Sequence, residues 1–476
     1  MIEAGRPSKA RPARPVSRVL AAVMAAAVAF GSTAAAAQDR RGRGLPVIRD
    51  AEIENLLRDY MAPVLRAAGL AKQNVQVVIL NERTFNAFVV DGRRIFVNAG
   101  ALMESQTPNQ IIGVLAHEAG HIAGGHLSRL RQELANAQTA AIIAVLLGAG
   151  AIAAGAASGS QNMGQVGAAA LSAPQEIIRR SLLAYQRTEE QAADRAAVRY
   201  LTATGQSPKG MYDTFRRFAD QLMFTSRYVD PYAQSHPMPA DRVAALEVLA
   251  KQSPYWNKPD SPAMQARHDL MRAKLAGFLD RPDGVARRYP ASDTSLAARY
   301  ARAIAAYRFS DIRGAITQIE GLIQAQPDNP YFHELKGQAL LDHGKAAEAI
   351  APLRRAAAMA PNAALIKIML GQALVATNNP AHAEEAIQTL RAALTREPDI
   401  PDGYAHLAMA YGRKGDYANA DLASAQAAFA RGDTKTAREL AVRAKGRFPT
   451  GSPGWVRADD IASYKPPPSS RPQRRN

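Results

Sequence analysis

A chain of 476 residues, 47% apolar and 21% charged, has room for two or three domains and is too ordinary in composition for a fibrous or disordered protein. It has no cysteine, which excludes disulfides and thiolate metal sites, so any metal must be held by histidine and carboxylate. A net charge of +17 suits anionic surfaces such as lipid headgroups or lipopolysaccharide, and equally a solvated basic face, while the lack of a base-reading motif sets nucleic acid aside.

In chain order, residues 1–37 read as a cleaved signal peptide. Arg6, Lys9, Arg11, Arg14 and Arg18 precede an apolar run over 19–30, and Ala35-Ala36-Ala37 fits the cleavage pattern. The mature chain is expected to start at Gln38, to lack a lipid anchor there and to reside in the periplasm. Removing five Lys/Arg and one acid leaves it at +13. Residues 50–68 repeat apolar positions at helical spacing. Residues 74–80, 87–90 and 94–97 read as strands, the last two joined through Asp91-Gly92. The expectation is a small antiparallel sheet, either purely structural or offering an edge to an extended substrate.

Then comes His117-Glu118-Ala119-Gly120-His121, read as H-E-x-x-H. Thr107 and Pro108 suit a helix start, and Ile111, Ile112, Val114, Leu115 and Ile122 continue the helical period. On one helix the two imidazoles stand a turn apart on the same face, and Glu118 reaches toward the same point. That supplies two metal ligands and a general base. Residues 139–157 are uncharged and rich in Gly and Ala, fitting a buried or membrane-surface helix better than a span. A helix over 181–201 carries Glu189, Glu190 and Asp194, and another starts after Pro208. Ser235-His236-Pro237 then leads through a proline-rich loop to Arg242.

Residues 253–290 read as transitional. Beyond them small residues recur at Ala303, Gly337, Gly371 and Ala408, with Pro327, Pro361 and Pro398 closing units about the length of a tetratricopeptide repeat. Three extra residues fall near Asn378-Asn379-Pro380. The expected divisions are a metallopeptidase domain over 38–290, a repeat domain over 291–455 and a disordered basic tail over 456–476.

Glu190-Gln191-Ala192-Ala193-Asp194 reads as E-x-x-A-D. Glu190 suits a third metal ligand, with Glu189 as its rival. Asp194, one turn on, can accept a hydrogen bond from the far nitrogen of a ligand histidine. With the signal peptide and the repeats, this pattern resembles the BepA/YfgC-type periplasmic metallopeptidases, within the larger family of HtpX and the CAAX prenyl proteases. Asn86-Ala87-Phe88 and the following hairpin also match, although Val90-Asp91-Gly92 stands where the family usually has Pro-Gly-Gly. The resemblance implies an α+β zincin-like domain followed by an all-α solenoid. It implies one zinc ion on His117, His121 and Glu190, with Glu118 as base toward a metal-activated water. It further implies that His236 reaches the metal and regulates access, while Arg242 holds the loop or stabilises the oxyanion. His126 matches a frequent family histidine but lies off the ligand face. Implied partners are unfolded or misassembled outer-membrane proteins and, through the repeats, the outer-membrane assembly machinery. The competing readings are an assembly adaptor with a latent site and a membrane-embedded protease.

Overall fold

The structure, a computed structural model, describes residues 45–136, 185–224, 232, 235–310 and 312–465. The expected signal peptide and the 139–157 stretch lie outside these residues. Among the described residues no helix is long and apolar enough to cross a membrane.

Strand β1 (Val47–Ile48) leads into helix α1 (Ala51–Ala67), which starts where the Asp50 carboxylate accepts from Ile53 N at 2.9 Å. One face of α1 buries Ile53, Leu56, Leu57, Tyr60, Met61 and Val64. Then follow β2 (Gln76–Leu80), β3 (Ala87–Asp91), β4 (Arg94–Asn98), α2 (Ala99–Glu104) and α3 (Pro108–Gly124). The sheet order is β1-β2-β4-β3. The antiparallel expectation needs correction: β2 and β4 run parallel, so the sheet is mixed. The reason lies in β4, whose Ile95, Phe96 and Val97 are all buried. A strand apolar on both sides belongs in the middle of a sheet, so the β3–β4 hairpin turns β4 inward against β2. That leaves β3 at the edge, in contact with α3.

A helical segment α4 (126–136) follows α3, and the chain resumes in α5 (185–203). Helices α6 (Lys209–Phe224), α7 (Ala240–Lys251), α8 (Pro262–Leu279) and α9 (Pro282–Arg288) complete the first half. Residues 253–290 are thus mostly helix rather than a transition. Met271, Leu275 and Ala276 of α8 join the core around α1 and α3, while its Leu270 and Ala273 join the core of the repeats.

The repeats are helix pairs: α10 (Leu296–Phe309) with α11 (Ile312–Ala325), α12 (Pro330–Asp342) with α13 (Ala346–Met359), and α14 (Ala364–Ala376) with α15 (Ala383–Arg396). Two further pairs are α16 (Pro401–Arg413) with α17 (Tyr417–Ala430), and α18 (Thr434–Lys445) with α19 (Pro453–Ser463). The small residues are needed for contact. A Cβ on Gly337 would come within 2.3 Å of Leu353, and one on Gly371 within 2.4 Å of Leu390. The three extra residues form a 3₁₀ turn at Pro380–His382, entered through Asn378 at φ 55°. Residues 456–463, expected in the tail, belong to α19, because Ser452 caps it and Ala458 packs with Leu422 and Ala444; the expected tail from 466 lies outside the described residues.

Candidate metal centre

Helix α3 starts where Gln110 Oε1 accepts from the backbone of Gln106 and Thr107, with Pro108 in the first turn. Its residues from Ile111 to Gly120 are buried throughout, so its polar side chains must find partners inside the protein. Two glycines let neighbours approach. A Cβ on Gly113 would meet Met211 of α6 at 2.4 Å. One on Gly120 would stand 3.0 Å from the Ala193 carbonyl, so Gly120 lets α5 lie directly against the two histidines. Asn109 fastens α3 to α6 by donating to the Ser207 carbonyl and accepting from Gly210 N.

The site residues read from the sequence come together. His117 Nε2 and His121 Nε2 are 3.0 Å apart. Glu190 Oε2 lies 3.3 Å from His117 Nε2, and Oε1 lies 3.5 Å from His121 Nε2. His236 joins them, with Nδ1 3.0 Å from Glu190 Oε2 and 3.3 Å from His117 Nε2. Ligand atoms of these four residues all fall within 4.8 Å of one another. Behind His117, Asp194 Oδ1 sits 3.0 Å from Nδ1. Three imidazoles and a carboxylate facing one point cannot all satisfy each other with the protons they hold. A divalent cation satisfies them together, so the residues fit a metal ion.

The electrostatics agree. Burial works against charge on His117, but Asp194 and Glu190 outweigh it and raise its pKa to about 9, so this pocket favours a cation. Burial and the neighbouring His117 push His121 well below its ordinary value. Glu190 stays ionised although burial opposes it, because His236 and His117 hold it well below the carboxylate range. Burial raises Glu118 against the attraction of His236 and His117. Among the described residues neither of its oxygens has a hydrogen-bond partner, and Oε1 lies 3.5 Å from His236 Nε2.

Arg242 holds the His236 loop. Its Nε and Nη2 donate to the two Asp194 oxygens at 2.7 and 2.8 Å, and Nη1 donates to the Pro237 carbonyl at 2.9 Å. Nη1 also lies 2.9 Å from Glu190 Oε2. The fork is committed to the acids and the loop, so no donor pair is left aimed at a substrate oxygen.

Sequence reading named Glu189 and His126 without their present roles, and missed Tyr232. Glu189 points away from the four and pairs with His126 and Arg129 at 2.8 and 2.6 Å. His126 Nδ1 lies 2.9 Å from His121 Nδ1. Tyr232 stacks on His236 with centroids 4.6 Å apart, and lies in an aromatic group with Phe85, Phe215 and Phe218. An aromatic residue in an apolar setting reads as core, and nothing in its spacing marks it otherwise.

Residues 48–250 match peptidase family M48, and residues 300–364 and 340–400 match tetratricopeptide repeats. The beta-barrel assembly-enhancing protease of Yersinia pestis is 24% identical over 377 residues, covering 78% of this chain and 74% of that protein. That of Escherichia coli (strain K12) is 25% identical over 378 residues, covering 77% and 73%. A putative beta-barrel assembly-enhancing protease of Vibrio cholerae is 26% identical over 295 residues, covering 60% and 58%.

Proposed function

From a chain that carries a peptidase family M48 domain followed by tetratricopeptide repeats, and is therefore a metallopeptidase, we propose a zinc-dependent endopeptidase of the periplasm. It acts on misfolded or stalled outer-membrane β-barrel proteins. The repeats recruit these clients or their assembly machinery, and 139–157 supplies a peripheral membrane contact. The observation that carries the reading is the buried convergence of His117, His121 and Glu190 beside an unpartnered Glu118. The relatives' names support the client class.

His117, His121 and Glu190 would hold zinc, the metal that suits a histidine-carboxylate set lacking cysteine. When bound, it lowers the pKa of water and polarises a carbonyl. Glu118 faces the same point with both oxygens free to accept. Burial raises its proton affinity, so it can take a proton from water and pass it to a leaving amine. Asp194 Oδ1, 3.0 Å from His117 Nδ1, places a carboxylate behind that ring and favours the tautomer with Nε2 free for the metal. Strand β3, at the sheet edge beside α3, can pair with an extended peptide backbone. His236, whose ligand atom lies with those of the other three, would complete the set and hold the enzyme latent until its loop moves.

Glu118→Gln tests the reading against an adaptor. Removing the base should cut hydrolysis of an unfolded β-barrel protein by roughly 10²–10⁴-fold while leaving bound zinc and client binding intact. Undiminished hydrolysis by the variant would refute the assignment.

A further inference from the structure

Behind the four converging side chains stands a second row that the reaction above does not use. We infer that His126 and Glu189 are positioning residues for the metal, acting through His121; the inference rests on the metallopeptidase reading.

With His121 Nε2 turned to the metal, its Nδ1 must carry the hydrogen. Nδ1 of His126, 2.9 Å away, accepts it. His126 then carries its own hydrogen on Nε2, the atom that stands 2.8 Å from Glu189 Oε2. Arg129 Nη2 holds that carboxylate at 2.6 Å. Each member of the row is left with one tautomer and one orientation. The other ligand also has a carboxylate behind it: Asp194 Oδ1 stands 3.0 Å from His117 Nδ1 and is held by Arg242. An imidazole that donates to such a partner is fixed in rotation and is a more basic ligand.

The backbone is shaped for this row. Gly125 takes φ 67°, a left-handed conformation that ends α3 and turns the chain back so that His126 reaches His121. A Cβ on Gly124 would fall 2.1 Å from His126 Nε2, so the ring lies where only glycine leaves space. Tyr185 of α5 donates to the His126 carbonyl at 3.4 Å, and Arg129 donates to the Gly124 carbonyl. His126 is 6% exposed. Two glycines and a carboxylate from another helix converge on this buried imidazole.

The test measures zinc affinity of the full-length protein by competition with a chelating indicator. His126→Ala should weaken binding by about 10–100-fold. Glu189→Gln should weaken it less, since His126 still accepts from His121. His126→Asn, whose Oδ1 stands near the place of Nδ1, should recover part of the loss. The melting temperature of each zinc-free protein is measured alongside. A lowered zinc-free melting temperature with unchanged zinc affinity would make His126 merely structural and overturn the inference. Wild-type zinc uptake and Glu118-dependent hydrolysis separate the two levels. If wild type binds zinc and cleaves while His126→Ala binds it equally well, only the positioning role falls. If wild type takes up no zinc, the metallopeptidase reading falls and this one with it.

Discussion

His236 Nδ1 lies 3.0 Å from Glu190 Oε2, its ring stacks on Tyr232 and its Nε2 lies 3.5 Å from Glu118 Oε1, so in the proposed enzyme it takes the place of a substrate carbonyl. Pro237 and Pro239 restrict the backbone beside it, and Arg242 ties down the Pro237 carbonyl. In the proposed latch the imidazole therefore stays in place until the loop moves. His236→Ala is expected to raise basal proteolysis and self-cleavage several-fold with zinc retained, as read by gel and metal analysis. A zinc-loaded but inactive variant would assign the histidine to catalysis instead. At this scale the sequence was legible where helix geometry alone sets proximity. Positions four apart on α3 and α5 had to share a face, which exposed His117, His121, Glu190 and Asp194. It was opaque where proximity depends on a turn. His126 is five residues past His121 and looked misdirected, because the left-handed Gly125 that turns it back had gone unread. Glu189 was weighed as a ligand, and its true partners come from another helix.

Among elements, α8 was the least legible. A helix shared by two cores has no single apolar face, so its sequence shows no clean period. Its polar residues are also placed inside. His268 accepts from Tyr60 Oη on Nδ1 at 3.1 Å and donates from Nε2 to the Ser105 carbonyl at 2.8 Å, which fixes the neutral form. Burial lowers its pKa to about 4, against the pull of that carbonyl. The unfolded chain, with an ordinary histidine near 6.5, binds this proton first as pH falls. Stability is therefore full above 6.5 and lost as pH drops toward 4, by up to about 3 kcal/mol from this one group. His268→Gln should flatten denaturant midpoints across that window relative to wild type. Equal slopes in the two proteins would remove His268 as their source. The repeat helices, by contrast, were legible in their small residues and in the three-residue insertion. Helix pairing demands the former, and the 3₁₀ turn absorbs the latter.

At the scale of the whole molecule, the two halves are joined by a buried charge cluster invisible in sequence, because Asp50 and Glu52 lie more than two hundred residues from its other members. Lys274 Nζ reaches Asp50 at 2.8 Å, Glu52 at 3.2 Å and Glu334 at 3.6 Å. Tyr300 Oη donates to Glu52 at 2.9 Å. One ammonium among three carboxylates leaves an excess of acid, and burial raises Glu334 to about 7. Removing the cation strands the acids, so Lys274→Met should destabilise the junction by roughly 3–5 kcal/mol. Calorimetry should then show an early transition as the repeats leave α1 and α8. A single transition at the wild-type temperature would show that apolar contacts alone hold the halves together.

Between α9 and α10 the chain is exposed over 290–292, yet α8 before it lies within the core of the repeats that follow it. Covalent continuity and physical cohesion therefore divide the molecule at different places. A single backbone cut there would yield two polypeptides on a denaturing gel and one particle in a sizing column. Co-expression of the separate pieces should rebuild the intact enzyme without a peptide bond between them.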